Sequence, residues 1–132
     1  MFVRACVYAD SMERQARAGE GWLANPIITT NASAGNQTIS AAAVMGGVVV
    51  FTGAAGAVNY TIDTAANLLA AMPDMDIGDT YVFKICNTAA QTATLNTAVT
   101  GVTFAGFTTV NAATRIGIIE KTSSTTIKLT YI

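Results

Sequence analysis

The chain has 132 residues, of which 52% are hydrophobic and only 11% are charged, and its formal net charge is −1. Soluble domains usually carry about 25% charged residues, so this chain is charge-poor for a single domain of its length. A net charge near zero without a cluster of Lys and Arg argues against nucleic acid as a partner. The sequence contains no histidine, the usual general base and commonest metal ligand, so we predict neither an enzyme nor a cofactor.

Charge divides the chain into two parts. The first twenty positions hold six charged residues, Arg4, Asp10, Glu13, Arg14, Arg17 and Glu20, and then no residue is charged from Gly21 to Ile62. We therefore predict an N-terminal arm over residues 1–25 and a β-sandwich domain over residues 26–132. Asp10 with Glu13 three positions later resembles a capping box, so the arm is expected to contain a short helix.

The most apolar stretch, Ala41 to Val58, is tested first as a membrane helix, which needs about 20 apolar residues. Four glycines interrupt it, and its centre, Val48 to Thr52, consists of β-branched and aromatic residues that suit a buried strand. We therefore predict a strand here and no membrane partner. A secretory signal is not expected either, because Met1 to Tyr8 is followed at once by a polar run.

From Pro26 onward, short β-favouring runs alternate with turn residues. The predicted strands are Ile27–Thr30, Gln37–Ser40, Val44–Thr52, Thr80–Asn87, Thr92–Asn96, Val102–Ala105, Phe107–Asn111, Arg115–Lys121 and Thr125–Tyr131. Their regular spacing favours a sandwich or a barrel. In the two clearest strands, alternation assigns one face to the core, namely Tyr81, Phe83 and Ile85, and Ile127, Leu129 and Tyr131.

One helix is predicted within the β region. Asp63 or Thr64 can cap its N-terminus, the residues from Ala65 to Met72 favour a helix, and Pro73 ends it. The glycines at 46, 47, 53 and 56 are interpreted as bulges and turns, because no phosphate-binding motif surrounds them.

The chain offers few groups for chemistry. Cys6 and Cys86 are far apart and are expected to be free thiols, with Cys86 packed within a strand. The acidic run from Asp74 to Asp79 is interpreted as a solvated turn in which Gly78 provides backbone freedom. A hard cation such as calcium is the alternative for this run, although the full calcium-loop signature is missing.

From about Gln37 to Tyr131 the sequence resembles a group of small tailed-phage virion proteins. The segments that carry the resemblance are Thr38-Ile39-Ser40-Ala41-Ala42, Gly46-Gly47-Val48-Val49, Thr61-Ile62-Asp63-Thr64-Ala65-Ala66, Ala71-Met72-Pro73, Gly78-Asp79-Thr80-Tyr81-Val82-Phe83, Asn87-Thr88, Thr94-Leu95 and Gly101-Val102-Thr103-Phe104-Ala105-Gly106. The sequence departs from the group's pattern at Asp74-Met75-Asp76, where smaller and less acidic residues are expected.

The resemblance implies a structural role. Proteins of this group decorate or cement capsids, or form β-rich domains of head or tail fibres, commonly as trimers. Together with the strands, the helix and the arm predicted above, it gives a mainly β fold for this chain, a jelly-roll-like β-sandwich with one short helix and an N-terminal helical arm. It further implies a homotrimer on the outer capsid surface of the virion, made in the host cytoplasm, with the major capsid protein as its partner.

The contacts are expected to come from the arm, because large aromatic residues and arginines dominate interface energies. The predicted interface residues are Phe2, Val3, Arg4, Arg14, Arg17, Trp22 and Leu23. The alternative function is a receptor-binding or carbohydrate-binding domain of a phage fibre, for which Tyr60 is the candidate aromatic residue to stack on a sugar.

Overall fold

The fold was analysed in a computed structural model, which describes residues 25–132. Within this range the chain forms ten strands and two short helices. The strands are β1 (Ile27–Asn31), β2 (Gln37–Ile39), β3 (Gly47–Phe51), β4 (Val58–Ile62), β5 (Thr80–Asn87), β6 (Thr92–Thr94), β7 (Val102–Gly106), β8 (Thr109–Asn111), β9 (Thr114–Lys121) and β10 (Ile127–Tyr131). The helices are α1 (Ala41–Gly46) and α2 (Ala65–Ala71).

The strands form two sheets. One sheet has six strands in the order β1-β3-β5-β9-β10-β7, and the other has four in the order β2-β4-β6-β8. The prediction of a mainly β fold is therefore confirmed. Five of the eight strand pairings are parallel and three are antiparallel. Jelly rolls are antiparallel architectures, so the jelly-roll connectivity is not confirmed.

The N-terminal half of the domain is built as stacked coils. The chain passes from one sheet to the other and back, so that β1, β3 and β5 pair in parallel in one sheet, while β2, β4 and β6 pair in parallel in the other. We name residues 27–39 the first coil, residues 47–62 the second coil and residues 80–94 the third coil. Each coil lies directly on the next, as in solenoid proteins.

Gly53 in the second coil and Gly46 at the end of α1 each allow a close backbone approach to the first coil. A β-carbon on Gly53 would overlap the carbonyl oxygen of Ala32 in the first coil. A β-carbon on Gly46 would lie 2.7 Å from the carbonyl oxygen of Ile27, which is closer than side chains tolerate. These positions are therefore close backbone approaches, where the sequence predicted bulges and turns.

The two helices begin at capping residues at equivalent points of successive coils. The Ser40 hydroxyl accepts a hydrogen bond from the Ala43 amide at 3.1 Å, and the Thr64 hydroxyl accepts one from the Asn67 amide at 3.2 Å. This confirms Thr64 as the cap of the predicted helix. α1 was not predicted: the strand expected over Val44–Thr52 begins only at Gly47, whose left-handed φ of 98° ends the helix.

The core lies between the two sheets. The ring of Phe51 on β3 stacks on that of Tyr60 on β4, with 3.7 Å between the ring centroids, and so joins one sheet to the other. The predicted core faces are confirmed, because these alternating side chains are buried: Tyr81, Phe83, Ile85, Ile127, Leu129 and Tyr131. β4 was missed by the sequence analysis, although three of its five residues are buried.

Candidate interaction surface

The first coil exposes apolar side chains at the edge of the six-stranded sheet. β1 has only one neighbouring strand, β3, among residues 25–132. Ile27 is 60% exposed and Ile28 is 61% exposed. Successive side chains of a strand point to opposite faces, so the two isoleucines lie on different faces of the same sheet edge. Most large aliphatic residues are buried in folded domains, which makes this adjacent pair unusual.

One side of the β1 backbone has no neighbouring strand within residues 25–132. The Asn31 carbonyl oxygen accepts a hydrogen bond from the Thr52 amide at 2.9 Å, so the backbone groups of Asn31 face β3. Along a strand, the backbone N–H and C=O groups of successive residues point alternately to one side of the strand and to the other. The N–H and C=O groups of Ile28 and Thr30 therefore point to the outer edge, where no strand of the described part of the chain pairs with them.

Side-chain amides hold the loop of the first coil in place. The Asn31 amide nitrogen donates to the Gln37 amide oxygen at 3.0 Å, and the Ser33 backbone N–H donates to the Asn31 side-chain oxygen at 2.9 Å. The Asn36 side-chain oxygen accepts from the Asn59 backbone N–H at 2.9 Å, which attaches the loop to the second coil. The edge strand therefore belongs to a hydrogen-bonded unit.

The first two coils contain no charged residue, since the chain is uncharged from Gly21 to Ile62. The next residue, Asp63, is engaged internally. Partial burial acts to raise the pKa of its carboxyl group, but hydrogen bonds from Asn67, Ala41 and Thr64 outweigh burial and hold the pKa below its ordinary value. A polar surface without charge can be buried at low desolvation cost.

A second exposed apolar cluster lies at the far side of the six-stranded sheet. Phe107 and Ile132 are each 53% exposed. The guanidinium carbon of Arg115 lies 3.9 Å from the centroid of the Phe107 ring, which is a cation–π geometry. The Arg115 side chain also donates a hydrogen bond to the Thr109 carbonyl at 3.1 Å, which fixes the charge over the ring. This cluster thus combines exposed apolar side chains with a positive charge, whereas the first coil carries no charge.

The acidic run forms a turn, as the sequence predicted. The Asp79 side chain accepts a hydrogen bond from the Asp76 amide at 2.9 Å, and Gly78 has a left-handed φ of 94°. Lys121 donates through its side chain to the Met75 carbonyl at 2.8 Å. One oxygen of Asp74 is buried without a hydrogen-bond partner in the described part of the chain. No group of three or more candidate metal ligands occurs in residues 25–132.

The described residues include only some of those that the sequence predicted to be functional. The predicted contact residues Phe2, Val3, Arg4, Arg14, Arg17, Trp22 and Leu23 lie outside the described residues, as do Cys6 and the helix of the arm. Cys86 is half-buried on β5 and is a free thiol.

The prediction that Tyr60 could stack on a sugar is wrong. Its ring is fully buried and stacked on Phe51, because Tyr60 lies on the face of β4 that points to the core. The sequence analysis did not predict that Ile27 and Ile28 of β1 are exposed. The only sequence signal at this end of the fold is the absence of charged residues around them.

Comparisons with known proteins add no relatives: no family, no curated protein and no solved structure matches the chain. Neither helix within residues 25–132 is long and apolar enough to cross a bilayer. The stretch from Ala41 to Val58, tested above as a membrane helix, comprises α1, β3 and the loop that leads into β4.

Proposed function

We propose that this chain is a structural virion protein, a homotrimeric capsid decoration (cement) protein that stabilises a phage head by bridging subunits of the major capsid protein. The observation that carries the proposal is the uncharged first coil, with exposed Ile27 and Ile28 beside a strand edge open within the described residues. Interface centres are depleted in charge and enriched in apolar side chains, and this end of the fold has that composition.

The mechanism in this proposal is adhesion. Burying apolar surface contributes roughly 25 cal/mol per Å², and a contact of standard size buries about 800 Å² on each partner. Neutral Thr and Asn side chains in the contact do not bring the desolvation cost of buried charges. A jelly-roll-like β-sandwich, which the resemblance implies, is one form of such a module, but the adhesive mechanism needs only two packed sheets that present an uncharged end.

The arm supplies the contacts to the shell in this proposal, through Phe2, Val3, Arg4, Arg14, Arg17, Trp22 and Leu23. The test is co-sedimentation of the purified chain with particles of the source virus from which the protein has been removed. We expect the full chain to pellet with the particles. A variant without Met1 to Ala24 should stay folded and lose affinity by about thirtyfold or more, because a single aromatic anchor can contribute about 2 kcal/mol or more.

Two outcomes would contradict different parts of this proposal. If the truncated chain pellets as well as the full chain, the arm is not the contact, although the decoration function stands. If the full chain itself stays in the supernatant at every concentration, the decoration function is wrong. An Arg14→Ala, Arg17→Ala double variant separates the two kinds of contact, because it keeps the apolar anchors of the arm and any affinity that it loses is the contribution of the two arginines.

One observation favours the alternative of a receptor-binding or carbohydrate-binding fibre domain. Phe107 presents an exposed ring, held by Arg115, and exposed aromatic rings stack on sugars through their apolar faces. A glycan array with the wild type and a Phe107→Ala variant distinguishes the two functions. Binding of the wild type that the variant loses supports the fibre domain, and no binding by either protein supports decoration.

A further inference from the structure

The face of the six-stranded sheet that points away from the smaller sheet is apolar at its centre. Side chains directly opposite each other on paired strands lie on the same face. On this outer face Val48 lies opposite Lys84, and Lys84 lies opposite Ile116. In the neighbouring row Val82 lies opposite Ile118. We name the aliphatic members of these two rows the outer apolar face: Val48, Val82, Ile116 and Ile118.

The sequence of β3 is typical of a strand that is covered on both faces. Its residues Val48 to Phe51 form an unbroken apolar run, whereas a strand with one solvated face alternates apolar and polar residues. The smaller sheet covers only the core side, where Tyr60 stacks on Phe51. The four side chains of the outer apolar face are half-buried. A further covering layer is therefore expected on this face.

The two helices of the described part of the chain belong to the core side of the sheet. The hydroxyl of Tyr81, a core-facing residue of β5, donates a hydrogen bond to the Met45 carbonyl of α1 at 2.9 Å. Leu68 of α2 is fully buried in the core. Neither helix thus supplies the covering layer of the outer apolar face.

We propose that residues 1–24 of the same chain pack on the outer apolar face in the free protein, with Trp22 and Leu23 as the anchors. These residues precede β1, which lies at the edge of this sheet. From β1 to β5 there are two strand spacings, about 10 Å, and the four residues from Leu23 to Ile27 span up to about 13 Å. Leu23 therefore reaches the centre of the face from the start of β1.

Covalent attachment favours this occupant over a separate chain. A segment joined through a short linker meets its site at an effective concentration in the millimolar range, which a separate chain must reach in solution. The stretch Gly21–Ala24 is uncharged and contains two large apolar side chains, Trp22 and Leu23. Twenty-four residues span about 36 Å even as a continuous helix, and six strands are about 24 Å wide. The segment is thus long enough to cross the sheet.

This inference goes beyond the proposed function, because it concerns the protein before it meets a capsid. In the proposed function Trp22 and Leu23 contact the shell, so attachment moves them from the outer apolar face to the capsid. Packing on the sheet keeps these two side chains out of water until the shell is present. Ile28 lies at the margin of the sheet and is 61% exposed, so it stays available for the contact proposed above.

The fluorescence of Trp22 tests this packing, because Trp22 is the only tryptophan of the chain. Emission and quenching by acrylamide are measured for the full chain without capsids, folded and unfolded in urea, over a dilution series. Ile118→Lys places a charge on the outer apolar face, and Val82→Thr removes apolar surface there while keeping a β-branched side chain. Ile77→Lys is the matched control, because Ile77 is 67% exposed and lies between α2 and β5, outside this face. Circular dichroism checks that each variant is folded.

We expect the folded wild type to emit at a shorter wavelength than the unfolded chain, with weaker quenching and at every dilution. Ile118→Lys and Val82→Thr should shift the emission to longer wavelength, and Ile77→Lys should match the wild type. For Ile118→Lys the equilibrium constant for packing of the segment should fall by about tenfold or more, because the lysine charge must be desolvated. If Ile118→Lys does not fold, Val82→Thr decides.

Four outcomes would overturn the inference. They are equal emission of the folded and unfolded wild type, unchanged emission in both outer-face variants, the same shift in Ile77→Lys as in those variants, and burial of Trp22 that is lost on dilution. The last outcome assigns the face to a second copy of the chain. Co-sedimentation with particles tests the decoration function separately, so that each of the two proposals can fail without the other.

Discussion

Replacing Gly53 by alanine tests whether the first coil depends on a close backbone approach to the second. A β-carbon on Gly53 would overlap the carbonyl group of Ala32 and lie 2.9 Å from the carbonyl oxygen of Ser33. Both obstacles are backbone atoms, which cannot move aside as a flexible side chain can. The substitution should therefore push the first coil away from the second.

The expected cost follows from what this displacement breaks. Overpacking by one carbon typically costs about 1–3 kcal/mol. The displaced loop also carries the hydrogen bonds from Thr52 to Asn31, at 2.9 Å, and from Ala55 to Ala34, at 3.3 Å, each worth about 0.5–1.5 kcal/mol. We expect the free energy of unfolding to fall by about 2–4 kcal/mol when one of these bonds is lost as well.

Gly56→Ala is the matched control. It makes the same change three residues later in the same loop, where a β-carbon would meet no atom within 4 Å. Alanine in place of an unstrained glycine stabilises by about 0.4–1 kcal/mol, because it restricts the unfolded chain. Gly53→Ala should thus be less stable than wild type, and Gly56→Ala equal to it or more stable.

Urea denaturation at one fixed protein concentration measures both variants, since association shifts the apparent stability. A lower midpoint with an unchanged slope identifies a loss of stability. Hydrogen exchange of the Asn31 amide, which faces β3, should accelerate in Gly53→Ala. The stacked arrangement of the first two coils would be refuted if Gly53→Ala and Gly56→Ala had the same midpoint and the same exchange rates.

Three further predictions concern polar side chains that are buried or partly buried. Tyr131→Phe should stabilise the protein by about 1 kcal/mol in thermal unfolding, because the Tyr131 hydroxyl is buried without a partner in the described residues; a loss of stability would mean that the hydroxyl is hydrogen-bonded. Burial raises the pKa of Tyr131, so above pH ~10 this tyrosine ionises only in the unfolded chain. The free energy of unfolding of the wild type should therefore fall by up to about 1.4 kcal/mol per pH unit above pH ~10, and that of Tyr131→Phe should fall less. Asp63→Ala should lower the free energy of unfolding by about 1 kcal/mol at pH 7, because the Asp63 carboxylate accepts hydrogen bonds from Ala41, Thr64 and Asn67. Since the folded pKa of Asp63 is lowered, this difference from the wild type should shrink as the pH falls below ~4. A difference that is independent of pH would contradict this account.

The sequence predicted local structure well where one residue type decides it. β5 has the predicted bounds, because strict alternation from Thr80 to Asn87 fits a strand with one buried face. The α2 helix begins at Thr64 because a hydroxyl there satisfies an otherwise unpaired amide. Such signals are contained in a few neighbouring residues, so no knowledge of the tertiary fold is needed to interpret them.

The errors occurred where tertiary contacts decide the structure. Ala41–Gly46 lies in an apolar run that favours a strand and a helix about equally, and the Ser40 cap with Gly47 resolves the ambiguity in favour of a helix. β4 was missed because Asn59 and Thr61 flank Tyr60 and suggest a polar loop, whereas the parallel pairing of β2 with β4 buries the tyrosine.

A repeated pattern could have revealed the coils. Thr38-Ile39-Ser40 and Thr61-Ile62-Asp63-Thr64 are each followed by alanines, and the two Thr-Ile pairs are in register between β2 and β4. In both copies the isoleucine is buried, and a hydroxyl residue then caps a helix. A repeat of a strand, a cap and a helix indicates stacked coils, because each copy buries its apolar face against the next.

The location of the candidate contact could not be obtained from this pattern alone. Ile27 and Ile28 look like core residues in the sequence, since an isoleucine pair at the start of a β run is usually buried. Their exposure follows from the strand order, because β1 pairs only with β3 among the described strands. No other coil formed by residues 25–132 covers it. Among residues 25–132 the first coil is at the end of the stack, and terminal units of stacked proteins usually carry polar residues on their outer side. β1 carries the exposed isoleucines Ile27 and Ile28 instead, and the proposal of a contact with another protein chain rests on this pair.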